Sequence, residues 1–214
     1  ILLTAAQNRQ TLENKNSGRQ TGVGVTVGFG QQTGISFQLG ASRQQGQADG
    51  SEITHDNTQI TAGNTLRLQS GNDTTLSGAQ LAAKRLEAQI GGDLAIETRQ
   101  DQNYYQNRQK SGGFAVSLCL PPLCYGMSSG SLSAASQKID HHYQSAVGQS
   151  GLAAGTGGFD LDVAAHTRLT GAAITSAASE ETNRLRTQSL VFTDLQNEQQ
   201  TKSHSASLSI ASGL

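Results

Sequence analysis

From Thr61 to Thr98 the chain reads TAGNTLRLQSGNDTTLSGAQLAAKRLEAQIGGDLAIET, and within it Leu66, Leu76, Leu86 and Ile96 recur every ten positions. Leu66-x-Leu68 returns as Leu94-x-Ile96. Apolar pairs of period two, joined by polar or glycine-bearing corners, are strand signals. The corners are Gly63-Asn64, Gly71-Asn72-Asp73, Gly78 and Gly91-Gly92-Asp93, where glycine can take positive φ without strain. Two such steps make a coil of about 20 residues. One coil cannot bury its own apolar face, so like coils must stack at the ~4.8 Å strand spacing. Lys84-Arg85-Leu86-Glu87-Ala88 has a helical look, but its place in the ladder predicts strand.

Working outward, the same pattern returns. Leu66-Arg-Leu68, Leu76-Ser-Gly78 and Leu81 match Phe159-Asp-Leu161, Leu169-Thr-Gly171 and Ile174, each 93 positions later. Such self-similarity marks a repeat architecture. The reading divides the chain into the end of a preceding unit (1–12), a first copy (13–102), a second copy (103–200) and the start of a third (201–214). Each copy opens with an alternating run. Val23 to Phe29 and Ile35 to Leu39, joined by residues 30–34, predict a hairpin with one apolar face. Phe114 to Leu120 and a weaker strand from Met127 to Leu132 predict another, with Cys119-Leu-Pro-Pro-Leu-Cys124 as its turn. The third copy begins at Thr201 with Leu208-Ser-Ile210. The fold class is therefore all-β: a solenoid of parallel β-coils with β-hairpin elements.

Composition agrees. There are 25 Gly, 2 Pro, no Trp, 4 Tyr and 5 Phe, too little aromatic surface for a compact enzyme core. Lys+Arg number 15 against 16 Asp+Glu with no basic stripe, so no nucleic-acid partner is expected. No apolar run reaches the ~18 residues of a spanning helix. The opening Ile1-Leu2-Leu3-Thr4 reads as cut from something longer.

Reactive chemistry is sparse. Cys119 and Cys124 are candidates for a small disulfide loop in an oxidising compartment, a reduced pair or half a metal site. Gly155-Thr-Gly157-Gly158-Phe-Asp160-Leu-Asp162 has the flavour of a calcium turn, yet corner glycines and solvated aspartates account for it. Asp140-His141-His142 is the one histidine cluster, but adjacent strand residues point to opposite faces. Asp160, Asp162 and Arg168 could be assembled into the site of a carbohydrate-active β-helix enzyme, the alternative function. Glu180-Glu181 with Arg184 and Arg186 reads as a solvated patch. No catalytic, cofactor-binding or metal-ligating residue is assigned, and no cofactor is expected.

Coils such as residues 61–74, alternating with Ser111-Gly-Gly-Phe-Ala-Val-Ser117, resemble the haemagglutinin repeats of filamentous-haemagglutinin-like exoproteins of two-partner secretion systems. That family includes adhesins and the toxin-delivery effectors of contact-dependent growth inhibition. The resemblance implies a right-handed parallel β-helix, export through an outer-membrane transporter, and work at the bacterial surface. The expected partners are that transporter, the outer membrane or a host or target cell surface, and other copies through exposed end coils.

Overall fold

The computed structural model describes residues 1–29 and 33–213. Its described residues are almost all strand; the helical element among them is a single 3-10 turn at Glu180–Thr182. The all-β expectation holds. The chain forms two compact units. One gathers residues 1–10, 52–103 and 143–199, and the other gathers 11–51, 104–142 and 200–214.

The first unit holds two sheets. One has the order β1 (Leu2–Thr4), β5 (Thr74–Ser77), β7 (Leu94–Glu97), β12 (His166–Thr170), β15 (Ser189–Thr193). Each neighbouring pair runs parallel. The other is built on the long strand β6 (Ala79–Ile90). Along one side of it lies β4 (Thr58–Ser70). On the other, β10 (Gly151–Ala154) and β11 (Phe159–Val163) pair with its two halves and are continued by β13 (Ala173–Ser176) and β14 (Arg184–Arg186). These pairings too are parallel.

Register converts the ten-residue ladder into columns. Leu3, Leu76, Ile96, Leu169 and Phe192 lie side by side across five strands. Ile60, Leu81, Leu152 and Ile174 form a second column, and Leu68, Ala88, Leu161 and Leu185 a third. The residues matched across the two sequence copies thus share a column with one strand between them: Leu66 and Phe159 both pair with Leu86, and Leu76 and Leu169 both pair with Ile96. Leu76, Leu81, Leu86, Leu94, Ile96, Leu152 and Leu161 are essentially inaccessible to water. Each fully buried Leu or Ile contributes ~1.5 to 3 kcal/mol, so these columns are the main source of this unit's stability. Lys84-Arg85 sits within the continuous strand β6, where cross-strand pairing outweighs local helix propensity.

The corners differ in part from expectation. Gly78 and its counterpart Gly171 take positive φ, at +70° and +58°, and their amides donate to the carbonyls of Glu97 and Thr193. Gly63, Gly71, Gly91 and Gly92 do not take positive φ. Gly63-Asn64 falls instead at a register shift inside β4. Gly91 is needed for close approach, because a Cβ there would overlap the Gly71 carbonyl. A buried polar chain ties successive levels together. The Ala79 amide donates to Ser150 Oγ, the Ser150 amide to Thr98 Oγ1, and Thr98 Oγ1 to the Gly171 carbonyl, at 3.2, 2.8 and 2.7 Å.

The second unit is the hairpin region, and its strands are much longer than the sequence pattern predicts. Five strands pair in the order β16 (Glu198–Gly213), β9 (Ser129–Ser145), β8 (Asp101–Tyr125), β3 (Thr33–Asp56), β2 (Ala6–Gly28). Apolar alternation marks only one end of each strand. The rest is Gln, Asn, Ser and charge, which pairs equally well once register is set but carries no hydrophobic signal. Residues 30–32 of the expected first turn lie outside the described residues. The second turn is corrected: β8 runs on through Cys124 to Tyr125, and the chain reverses at residues 126–128. The Cys119 amide donates to Ser128 Oγ across that reversal.

Candidate interaction surface

The five-stranded sheet of the second unit has two chemically different faces. On β2 and β3, a Cβ at Gly18 would stand 3.2 Å from Gln44, one at Gly24 would stand 3.7 Å from Gln38, and Gly46 faces Asn16. The partners run in opposite directions, so the pair is antiparallel, and Gly, Gln and Asn share a face. Because side chains alternate along a strand, Val23, Val25 and Val27 fall on the other face with Ile35, Phe37 and Leu39. Gly40 lies against Ala115 and Gly113 against Ser42, which carries the division onto β8. Ser133 Oγ donates to the Gly113 carbonyl at 3.4 Å and carries it onto β9. His141 Nδ1 lies 2.9 Å from Thr201 Oγ1, which carries it onto β16. Phe114, Val116, Leu118 and Leu120 therefore join the apolar face, followed by Leu132, Leu208 and Ile210.

That face is exposed. Val23 is 82% accessible, Val25 61%, Leu132 53% and Ile210 54%. The opposite face lines a shallow groove of small and polar groups, among them Gln20, Gly24, Ser42, Ser117 and Ser131. Cys119 and Cys124, both buried, are joined by a disulfide beside Gly34, where a Cβ would overlap the Leu123 carbonyl.

Charge is arranged as sharply. From Gln20 to Ser42 and from Ser111 to Gln137 there is no Asp, Glu, Lys or Arg. Below the apolar part, on the same face by alternation, come Lys15, Arg19, Arg43, Arg108, Lys110, Lys138 and Lys202, with the carboxylates Glu13, Asp49 and Asp140 among the lower of them. Lys138 Nζ is 2.6 Å from Asp140, whose other oxygen accepts from Gln106 Nε2 at 2.7 Å. These two bonds, Lys138 first, hold the Asp140 carboxyl below its usual range. Arg19, Arg43 and Lys110 have no ion-pair partner among the described residues. The sequence reading saw the alternation but missed this band. The charge-free runs ending at Arg43 and Lys138 were its signal.

The other residues singled out do not converge. Asp160 and Asp162 stand on β11, in register with Glu87 and Gln89, and Asp162 Oδ2 accepts from Arg186 at 2.7 Å. Arg168 stands on β12 of the other sheet, beside Ala95 and Val191. The carboxylates and arginine of the carbohydrate-enzyme alternative are therefore not one site. Glu87 takes hydrogen bonds from Arg67 and Arg85, which lower its pKa in that order of importance. The histidines have separate neighbours: His55 with Asp101, His141 with Thr201, His166 with Ser189. Among the described residues, no group of three or more His, Cys, Asp or Glu is placed to hold a metal ion. No helix among them is long and apolar enough to cross a membrane.

Comparison with known proteins agrees with the repeat reading. A protein named Toxin CdiA from Escherichia coli is 37% identical over 219 aligned residues, covering all of this chain and 7% of that protein. A tRNA nuclease CdiA from another Escherichia coli strain is 37% identical over 214 residues, 6% of its length. A Deoxyribonuclease CdiA from Yersinia pseudotuberculosis is 36% identical over 199 residues, 92% of this chain and 18% of that protein. The chain thus spans a small fraction of the relatives it matches. No solved structure matches it. Residues 1–113 match the family described as hemagglutinin repeat, and the chain belongs to that family.

Proposed function

We propose that this chain is a non-catalytic structural and interaction segment of a large secreted exoprotein that delivers a toxin to neighbouring cells. In this reading the first unit is a piece of right-handed parallel β-helix, with residues 13–102 and 103–200 as successive repeat copies. The observation that carries it is the set of parallel columns joining equivalent residues of the two copies, Leu76 with Ile96 and Leu169 above all. Stacked levels of this kind confer length and stiffness and require no reactive group. The relatives are named as toxins and nucleases while this chain covers 6 to 7% of the two Escherichia coli proteins, which supports placing the toxic activity elsewhere in a parent protein.

The exoprotein leaves the cell through an outer-membrane transporter and works at the cell surface. The disulfide between Cys119 and Cys124 persists there, and thiol labelling of exported material without reductant is expected to leave both unmodified. The strands at the ends of the parallel sheets have free edges, so concentration-dependent association in light scattering is expected.

The deciding experiment is deletion of the segment equivalent to residues 1–214 from a full-length parent, scored for surface display and for growth inhibition of neighbouring target cells. Intact display with lost inhibition is the expected result. Inhibition that survives the deletion overturns the delivery role. Release of soluble oligosaccharide from polysaccharides by the purified chain would overturn the non-catalytic assignment.

A further inference from the structure

We infer that a polar cleft in the first unit binds an uncharged sugar without cleaving it. The inference goes beyond the delivery reading and does not depend on it.

The cleft encloses about 520 Å³, within the ~300 to 1,000 Å³ range of small-molecule sites. It gathers side chains from the segments 4–7, 53–55 and 97–102, and from Gln144 and Leu195. The positive-φ corners build its walls. Lacking a side chain, Gly78 lets Ala5 and Arg99 approach closely, and Gly171 admits Leu195 in the same way. Thr98, which also lines the cleft, is buried and held by the bond from its hydroxyl to the Gly171 carbonyl. The cleft is thus set by the same contacts that stack the levels.

Charge within it cancels. His55 Nδ1 lies 3.3 Å from Asp101 Oδ1, and that oxygen also accepts from the His55 amide at 2.8 Å. Arg99 and Glu97 face each other at 3.8 Å. A charged ligand would find each opposite charge already paired.

Side-chain amides dominate instead. Gln100 is committed, since its nitrogen donates to the Gln196 carbonyl at 2.7 Å and its oxygen accepts from Gln144 at 2.8 Å. The Gln7 and Gln102 side chains make no hydrogen bond among the described residues. Each offers a donor and an acceptor side by side, the complement of a sugar hydroxyl, which both donates and accepts. Ala5, Ile53 and Leu195 add an apolar wall, which suits the C–H face that a pyranose ring carries beside its hydroxyl edge. Peptides are captured mainly by main-chain bonds along an open edge, whereas the free groups here are side-chain amides.

Asp160, Asp162 and Arg168 do not line this cleft. Glycoside cleavage needs a carboxylic acid and a free carboxylate flanking the bond. Glu97 and Asp101 are each held by a basic neighbour, so the cleft binds and does not cut.

The test titrates the purified, nitrogen-15-labelled chain with maltotriose, mannotriose and chitotriose, and with sialyllactose as an acidic comparison. Saturable shifts of the Gln7 and Gln102 side-chain amide resonances with at least one neutral sugar are expected, with Gln89 on the outer face of β6 unmoved. Gln7→Leu and Gln102→Leu are exposed changes that leave the fold intact by circular dichroism. Each is expected to weaken binding about fivefold, the loss of one ~1 kcal/mol hydrogen bond.

No saturable shift with any neutral sugar, tighter binding of sialyllactose, or binding that both variants leave unchanged overturns the inference. So do equal shifts with a blocked trialanine peptide, which would assign the cleft to polypeptide. Shortened sugars in the same samples would overturn binding without cleavage.

Discussion

The columns of the first unit predict a graded cost for truncation along a single row. Leu76 is fully enclosed, with Leu3 on one side and Ile96 on the other, and Leu169 one strand further is 3% accessible. Phe192 closes the same column but is 66% accessible and, among the described residues, pairs with Leu169 alone. Leu76→Ala removes fully buried methyl groups and leaves a cavity walled by a regular sheet that cannot collapse, at a cost of about 3 kcal/mol within the ~2 to 5 kcal/mol range for such changes. Phe192→Ala loses only the buried third of a side chain whose complete burial is worth up to ~3 kcal/mol, so its cost is about 1 kcal/mol. With an m-value of ~2 kcal/mol per molar urea, the midpoint falls by about 1.5 M for Leu76→Ala and about 0.5 M for Phe192→Ala. Urea unfolding followed by far-UV circular dichroism measures both. Equal midpoints, or a larger loss at Phe192, would refute the stacked-column account, because size alone would then outweigh position.

Other outcomes follow from single contacts. Thr98→Val keeps the shape but strips the Ser150 amide and the Gly171 carbonyl of a buried partner; a loss of ~1 to 3 kcal/mol is expected, with faster hydrogen exchange at Ser150, and unchanged exchange would exclude the polar chain. Gly78→Ala forces a side chain into positive φ and against Ala5 and should cost about 2 kcal/mol or more, whereas Gly63→Ala meets nothing within 4 Å and should shift stability by a few tenths; parity between the two would contradict the assigned corner. Glu87 has a lowered folded-state pKa, so its contribution is present above the unfolded-state pKa and is lost as pH falls through the folded value. Arg67→Gln should move the Glu87 midpoint upward in an NMR titration, and a stationary midpoint would show that Arg67 does not hold that carboxylate.

Much of the first unit could be read directly from the chain, because Leu66, Leu76, Leu86 and Ile96 carry a period that only stacked strands satisfy. Burial makes that period visible: a position packed from above and below tolerates few residues other than Leu, Ile, Val or Ala. The positive-φ corners at Gly78 and Gly171 were also marked, since both follow a buried Leu in the two matched copies. By contrast, the lower halves of β2, β3, β8, β9 and β16 were hidden, because a sheet with neither face fully buried imposes no hydrophobic pattern and its long strands are held mainly by backbone pairing.

The sequence by itself therefore determined the strand class, the repeat and the alternation of Val23 to Leu39, all local consequences of side-chain period and glycine placement. Tertiary structure decided which distant residues became neighbours. Register alone brings Leu86 beside Phe159 and separates Asp162 from Arg168. Pairing order also aligns five alternating strands, so that their apolar sides add to one face and their charged residues gather beyond it. Backbone hydrogen bonding accepts almost any residue, and what chose among the registers was the burial of a few columns together with small side chains at the points of closest approach.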